Sequence, residues 1–164
     1  MANDPQAPPA AGAAGDDQSE TLNAMVGGWD AAMAVRFVRA TPDEVVAELP
    51  IGPAHLQAYG IVHGGVYAGL IEVAASTGAT LSALAHGRLA VGLENHTSFL
   101  HATRSGTLRA VARPLSRGRT TQVWEATVTD DRGRAVATGR VRLLALEQGQ
   151  PLAGDAIGLA AREG

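Results

Sequence analysis

The chain has 164 residues, 46% of them apolar, and a formal charge of −3, which is material for one domain with a proper core. All thirteen basic residues are arginine, and they form no stripe of the kind that tracks a phosphate backbone, so nucleic acid is not an expected partner. Cysteine and lysine are absent, which removes disulfides, thiolate metal sites, thiol nucleophiles, Schiff-base chemistry and a P-loop lysine together.

Residues 1 to about 18 are mostly Ala, Pro, Gly and Asp, a composition that cannot offset the entropy of ordering and reads as a disordered tail. Met1-Ala2-Asn3-Asp4-Pro5 lacks the basic and apolar regions of a signal peptide, and no segment is long enough to span a bilayer. A cytoplasmic location without membrane association is expected. The domain proper runs over residues 19–146. Ala32–Val38 and Val45–Leu49 read as two strands about the turn residues Thr41-Pro42-Asp43. Gly64 to about Ala85 reads as one long helix, because Val66, Leu70, Val73, Thr77, Leu81 and Leu84 recur at steps of three and four. Gly87 lies where a helix stop belongs, and Gly69 and Gly78 weaken the helix locally.

After Arg88 the period switches to two, predicting four strands over Leu89–Phe99, Thr107–Leu115, Thr120–Val128 and Ala135–Leu146. Arg104-Ser105-Gly106, Arg117-Gly118 and Asp130-Asp131-Arg132-Gly133 supply turns at hairpin spacing. The expected architecture is therefore α+β, one long helix laid across a curved antiparallel sheet of about six strands. Residues 147–164 are rich in Gly and Ala with a break at Pro151, and read as a tail that is loose or only locally helical.

Glu72 is the one Asp, Glu, Lys or Arg between Glu48 and Arg88, inside an apolar run that opens with His63-Gly64-Gly65. An ionised group removed from water is paired, neutralised, or retained because chemistry needs it. The structural alternative is a carboxylate paired with Arg36, Arg109 or another arginine to fix packing.

The stretch Gln57-Ala58-Tyr59-Gly60-Ile61-Val62-His63-Gly64-Gly65, followed by Glu72 eight residues after Gly64, resembles the hotdog-fold acyl-CoA thioesterases. The resemblance covers Trp29 to Leu146 and is to the PaaI-like branch that places glutamate on the central helix, exemplified by 4-hydroxybenzoyl-CoA thioesterase. Asn95-His96-Thr97-Ser98-Phe99 and Gly118-Arg119-Thr120-Thr121-Gln122-Val123-Trp124-Glu125 agree with it. His101-Ala102 stands where the family often has Arg-Pro, with Arg104 nearby as a substitute, and Ser76 stands where a threonine is common.

Thioester hydrolysis needs an oxyanion donor and a carboxylate that attacks or activates water. The Gly64 N–H, unpaired at a helix start, is the expected donor and Glu72 the expected carboxylate. The resemblance implies that His63 and Gln57 orient the thioester or tune the donor, although a histidine there can equally serve as a cap. Ser76 keeps a hydroxyl one turn after Glu72. Tyr67 and Phe99, with Thr77, are the expected acyl contacts, core packing being the alternative for these aromatics and for Tyr59. Arg104, Arg117, Arg119, Thr120, Thr121 and His101 are the set expected to meet the phosphates of coenzyme A. The five histidines have no metal-ligand spacing, and no cofactor is expected beyond the coenzyme A of the substrate.

Gly64 and Glu72 lie about 12 Å apart along one helix and roughly 80° around it. One thioester cannot touch both, so the site requires a second helix running antiparallel. A homodimer is expected, open to pairing into a homotetramer. A hotdog dehydratase and a non-catalytic acyl-CoA-binding dimer are the competing readings.

Overall fold

A computed structural model of the chain describes residues 16–158. The expected disordered tail, 1–18, lies outside the described residues up to position 15. Asp17 and Gln18 bond to the sheet: the Gln18 N–H donates to Ala40 O at 2.8 Å, and Asp17 Oδ1 accepts from Ala40 N–H at 2.8 Å.

Two short helices come first, α1 (Ser19–Met25) and α2 (Gly28–Ala32). Strands β1 (Arg36–Ala40) and β2 (Val45–Pro50) follow, then a 3-10 turn at Pro53–His55 and the central helix α3 (Gly64–Leu84). Four long strands complete the sheet: β3 (Arg88–Phe99), β4 (Thr107–Arg117), β5 (Thr121–Thr129) and β6 (Ala135–Glu147). The six strands run antiparallel in the order β1-β2-β4-β5-β6-β3. This is the predicted α+β hotdog architecture, a single long helix on one face of a six-stranded sheet. None of the described helices is long and apolar enough to cross a membrane.

The four period-two segments form strands where expected. The first strand does not begin at Ala32. Residues 28–32 close a helical turn, Met33 N–H donates to Trp29 O and Val35 N–H to Asp30 O, and Ala34 at φ +54 turns the chain into β1. The alternating apolar pattern runs across a helix end, because Ala and Met suit either state. In the C-terminal stretch, β7 (Pro151–Leu152) pairs with β8 (Asp155–Ala156) in a small hairpin, rather than a local helix.

The core lies between α3 and the sheet, with Leu49, Leu70, Ile71, Leu108, Trp124 and Leu143 fully buried. Gly69 and Gly78 are the sockets for the two tryptophans: a Cβ at Gly69 would collide with the Trp29 ring, and one at Gly78 with Trp124. The weak points of the helix are thus where rings press onto its backbone.

The two sheet edges differ. The outer edge of β1 is covered by α1, whose Asn23 side chain accepts from Phe37 N–H and donates to Phe37 O, both at 2.8 Å. The outer edge of β3, twelve residues long, has no such cover among the described residues.

Candidate active site

The start of α3 is set by a chain of backbone and side-chain bonds. Buried His55 accepts from Gly52 N–H through Nδ1 at 2.8 Å, and its carbonyl accepts from His63 N–H at 2.9 Å. The turn Gln57–Gly60 closes with Gly60 N–H on Gln57 O at 2.8 Å, and Gly60 at φ +67 takes the left-handed conformation that suits glycine. Arg104 staples this turn, donating from Nη1 to Tyr59 O and Gly60 O at 3.0 Å.

His63 is the N-cap of α3, its Nδ1 accepting from Gly65 N–H at 2.9 Å. A neutral ring that accepts at Nδ1 carries its proton on Nε2, so the exposed face of His63 is a donor. The next N–H, that of Gly64, donates to no group among the described residues. The Phe99 ring lies over it, since a Cβ at Gly64 would sit 2.8 Å from Phe99 Cζ. Tyr67 stands beside Phe99 with ring centroids 6.1 Å apart, its hydroxyl buried and unpartnered. Gln57, Gly64, Tyr67, Phe99 and His101 share a cleft of about 190 Å³. Of the three aromatics, only Tyr67 is a core residue; Phe99 is 58% and Tyr59 78% exposed.

Glu72 comes two turns later, half-buried, on the side of α3 that faces β3. Asn95 Nδ2 donates to Glu72 Oε2 at 2.9 Å and to Ala68 O at 3.1 Å. Thr97 Oγ1 donates to Asn95 Oδ1 at 2.6 Å, which fixes the amide orientation. Glu72 Oε1 rests against Gly92, where a Cβ would come within 2.6 Å of it. The two arginines named as its structural partners are engaged elsewhere: Arg36 and Arg109 both pair with Glu48, at 3.2 and 2.5 Å. Glu72 therefore keeps an oriented carboxylate that pairs with no cation among the described residues. Ser76, one turn on, is half-buried with Oγ 3.4 Å from Val73 O. Ser76 and Thr77 line a second cavity, of about 330 Å³.

A third cavity, of about 560 Å³, lies at the far end of α3 and includes His86, Arg88, Arg117 and Arg119. Arg117 pairs with Asp43, and Arg88 donates to Arg119 O. Thr120 and Thr121 form the adjoining hairpin. One chain thus separates the expected residues into three groups: Gln57, His63, Gly64, Tyr67, Phe99, His101 and Arg104 at the helix start; Glu72, Ser76 and Thr77 mid-helix; Arg117, Arg119, Thr120 and Thr121 beyond its end. Asn95 and Gly92 had no expected role, since only the folded pairing of α3 with β3 reveals which strand residues meet Glu72.

Residues 59–137 match the thioesterase superfamily. A Mycobacterium tuberculosis protein named only provisionally as an esterase is 41% identical over 133 residues, 80% of this chain and 94% of that one. The chain belongs to the thioesterase superfamily. It is a thioester hydrolase by that membership, and the Mycobacterium tuberculosis structure overlays it with a TM-score of 0.72 across 75% of this chain and 98% of that chain. Another superfamily relative, the 1,4-dihydroxy-2-naphthoyl-CoA hydrolase of Escherichia coli, is 31% identical over 74% of this chain and 90% of that protein. A thioesterase structure from Haemophilus influenzae aligns with a TM-score of 0.75 at 27% identity, covering 79% of this chain and 90% of that one.

Proposed function

We propose that the chain hydrolyses an acyl-CoA thioester, aromatic or of medium length, at a site shared by two subunits of a homodimer. The separation of Gly64 from Glu72 carries this reading. Eight residues of one helix hold them about 12 Å apart, whereas a reacting carbonyl needs base and oxyanion donor each within about 3 Å. An antiparallel α3 from a second subunit resolves the conflict. The uncovered edge of β3 supports it, because a long unpaired strand invites pairing with its own copy, and two-fold pairing there sets the two helices antiparallel.

In this arrangement the Gly64 N–H of one subunit, at the positive end of its helix, stabilises the charge that develops on the carbonyl oxygen. Glu72 of the other subunit attacks the carbonyl carbon, or takes a proton from the water that does. The carbon–sulfur bond breaks and coenzyme A leaves as its thiol; where Glu72 itself attacks, water then hydrolyses the mixed anhydride to the free acid and regenerates the carboxylate, and where water attacks, the free acid forms directly. His63 Nε2–H and the Gln57 amide donate to the thioester, Ser76 supports the carboxylate end, and Tyr67, Phe99 and Thr77 contact the acyl side. His101 and Arg104 of one subunit join Arg117, Arg119, Thr120 and Thr121 of the other around the phosphates, since antiparallel helices carry the end of one past the start of its mate. No cofactor is required. The named activity of the Escherichia coli relative supports a coenzyme A thioester as substrate.

Glu72→Gln tests the assignment by free-thiol release from benzoyl-CoA and octanoyl-CoA. Turnover is expected to fall by about 10²- to 10⁴-fold with the melting temperature unchanged. Release near the wild-type rate would remove Glu72 from the chemistry.

A further inference from the structure

The cavity of about 330 Å³ that holds Ser76 and Thr77 is bounded on its outer side by α1. Its apolar walls are Leu22 and Met25 of α1, Leu81 and Leu84 of α3, and Ala90 of β3. Among the described residues no ionisable side chain lines it. Two features connect it to the carboxylate. Ser76 follows Glu72 by four residues, so both lie on one face of α3. Ala90 precedes Gly92, which touches Glu72 Oε1, by two residues, so both lie on one face of β3. The cavity therefore begins one helical turn along α3 and two residues along β3 from the groups that meet the carboxylate, on the same faces of both elements.

The α1 wall is held in place. Asn23 makes its two bonds to Phe37, Asp17 and Gln18 bond Ala40, and Leu22 packs against the core. Met25, at 49% exposure, stands at the rim with a flexible thioether that adapts to what lies beneath it.

We infer that the acyl group of the substrate lies under α1 in this cavity, and that Leu22 and Met25 set the length it accepts. The inference rests on the proposed acyl-CoA reading and names the acyl class: uncharged, and of about ten methylene groups, each taken as roughly the size of a water at about 30 Å³. A charged acyl group such as succinyl meets no counter-ion there and is disfavoured.

Calorimetric binding to full-length Glu72→Gln, using straight-chain acyl-CoAs from acetyl to palmitoyl, tests it without turnover. Affinity is expected to rise about fourfold per methylene and to level off near ten carbons. Adding Leu22→Ala moves that break to longer chains, and adding Met25→Trp moves it to shorter ones. Succinyl-CoA binds at least about tenfold more weakly than butyryl-CoA. A break that neither α1 variant moves overturns the inference, even where wild-type protein hydrolyses every substrate. Indifference to length together with a changed oligomeric state in Met25→Trp also overturns it, assigning the groove to a second copy. Conversely, a movable break in a wild-type protein that releases no thiol supports the acyl site and contradicts hydrolysis.

Discussion

At the scale of single residues, the carboxylate of Glu72 is placed by neighbours that have no charge. Asn95 holds one oxygen at 2.9 Å, and Gly92 leaves room for the other. An amide partner orients a carboxylate without the electrostatic cost to its basicity that a guanidinium would bring. Gly92→Ala forces the carboxylate aside, and a displacement near 1 Å is worth about 10² in rate. The expected result for Gly92→Ala, and to a lesser degree for Asn95→Ala, is a fall in kcat with KM and melting temperature nearly unchanged. Steady-state kinetics beside thermal melts check this; an unchanged kcat in both variants would show that the contact does not matter. Glu72 itself was conspicuous in the sequence as an isolated charge among apolar residues. Its partners were not, because Asn95 lies 23 positions away and only the α3–β3 packing brings them together.

At the scale of elements, α3 depends on glycine where intrinsic propensity would choose alanine. Trp124 is fully buried and held by its Nε1–H on Gln122 Oε1 at 2.9 Å, so it cannot yield to a Cβ at Gly78. Trp29 is 44% exposed and can swing away from Gly69. Gly78→Ala is therefore expected to cost about 1–3 kcal/mol, and Gly69→Ala much less, as read by chemical denaturation. Equal losses would contradict this packing account. The segment ahead of the sheet has its own signature. Burial raises the Asp17 pKa, but N–H groups of Ala40 and Ser19, with Arg39 nearby, outweigh it and hold the carboxyl below its ordinary 3.8. A depressed folded pKa contributes stability above the unfolded value, lost as pH falls through the folded one. Asp17→Asn should lower the melting temperature at pH 7, with the difference gone near pH 2. A difference that persists in acid would trace to something other than the charge. The long strands and α3 were legible because their periodicity extends over many residues. The helices α1 and α2 were not: seven and five residues are too few to show a period, and side chains reaching the β1 edge hold α1.

At the scale of the whole molecule, the sheet has one edge covered by its own N-terminal helix and one edge left open by the described residues, and that open edge carries the residues that hold Glu72. The same face thus offers both the pairing surface and half of the proposed site. The expectation of a second subunit comes from the sequence, through the eight-residue separation of Gly64 and Glu72; the edge proposed to receive it does not, since strand order is a long-range property. Complementation between two inactive variants tests this claim most directly. Glu72→Gln removes the carboxylate. Gly64→Pro removes the proposed oxyanion N–H at the first helical position, where proline is tolerated, and His63 before it is already extended. Each homodimer should be inactive alone. Unfolded together and refolded at equal concentrations, about half of the dimers are mixed and each has one intact site, so thiol release should recover to about one quarter of wild type. Recovery to that level is the predicted result; a refolded mixture that stays as inactive as its two components would place both groups in a single chain and contradict the shared site.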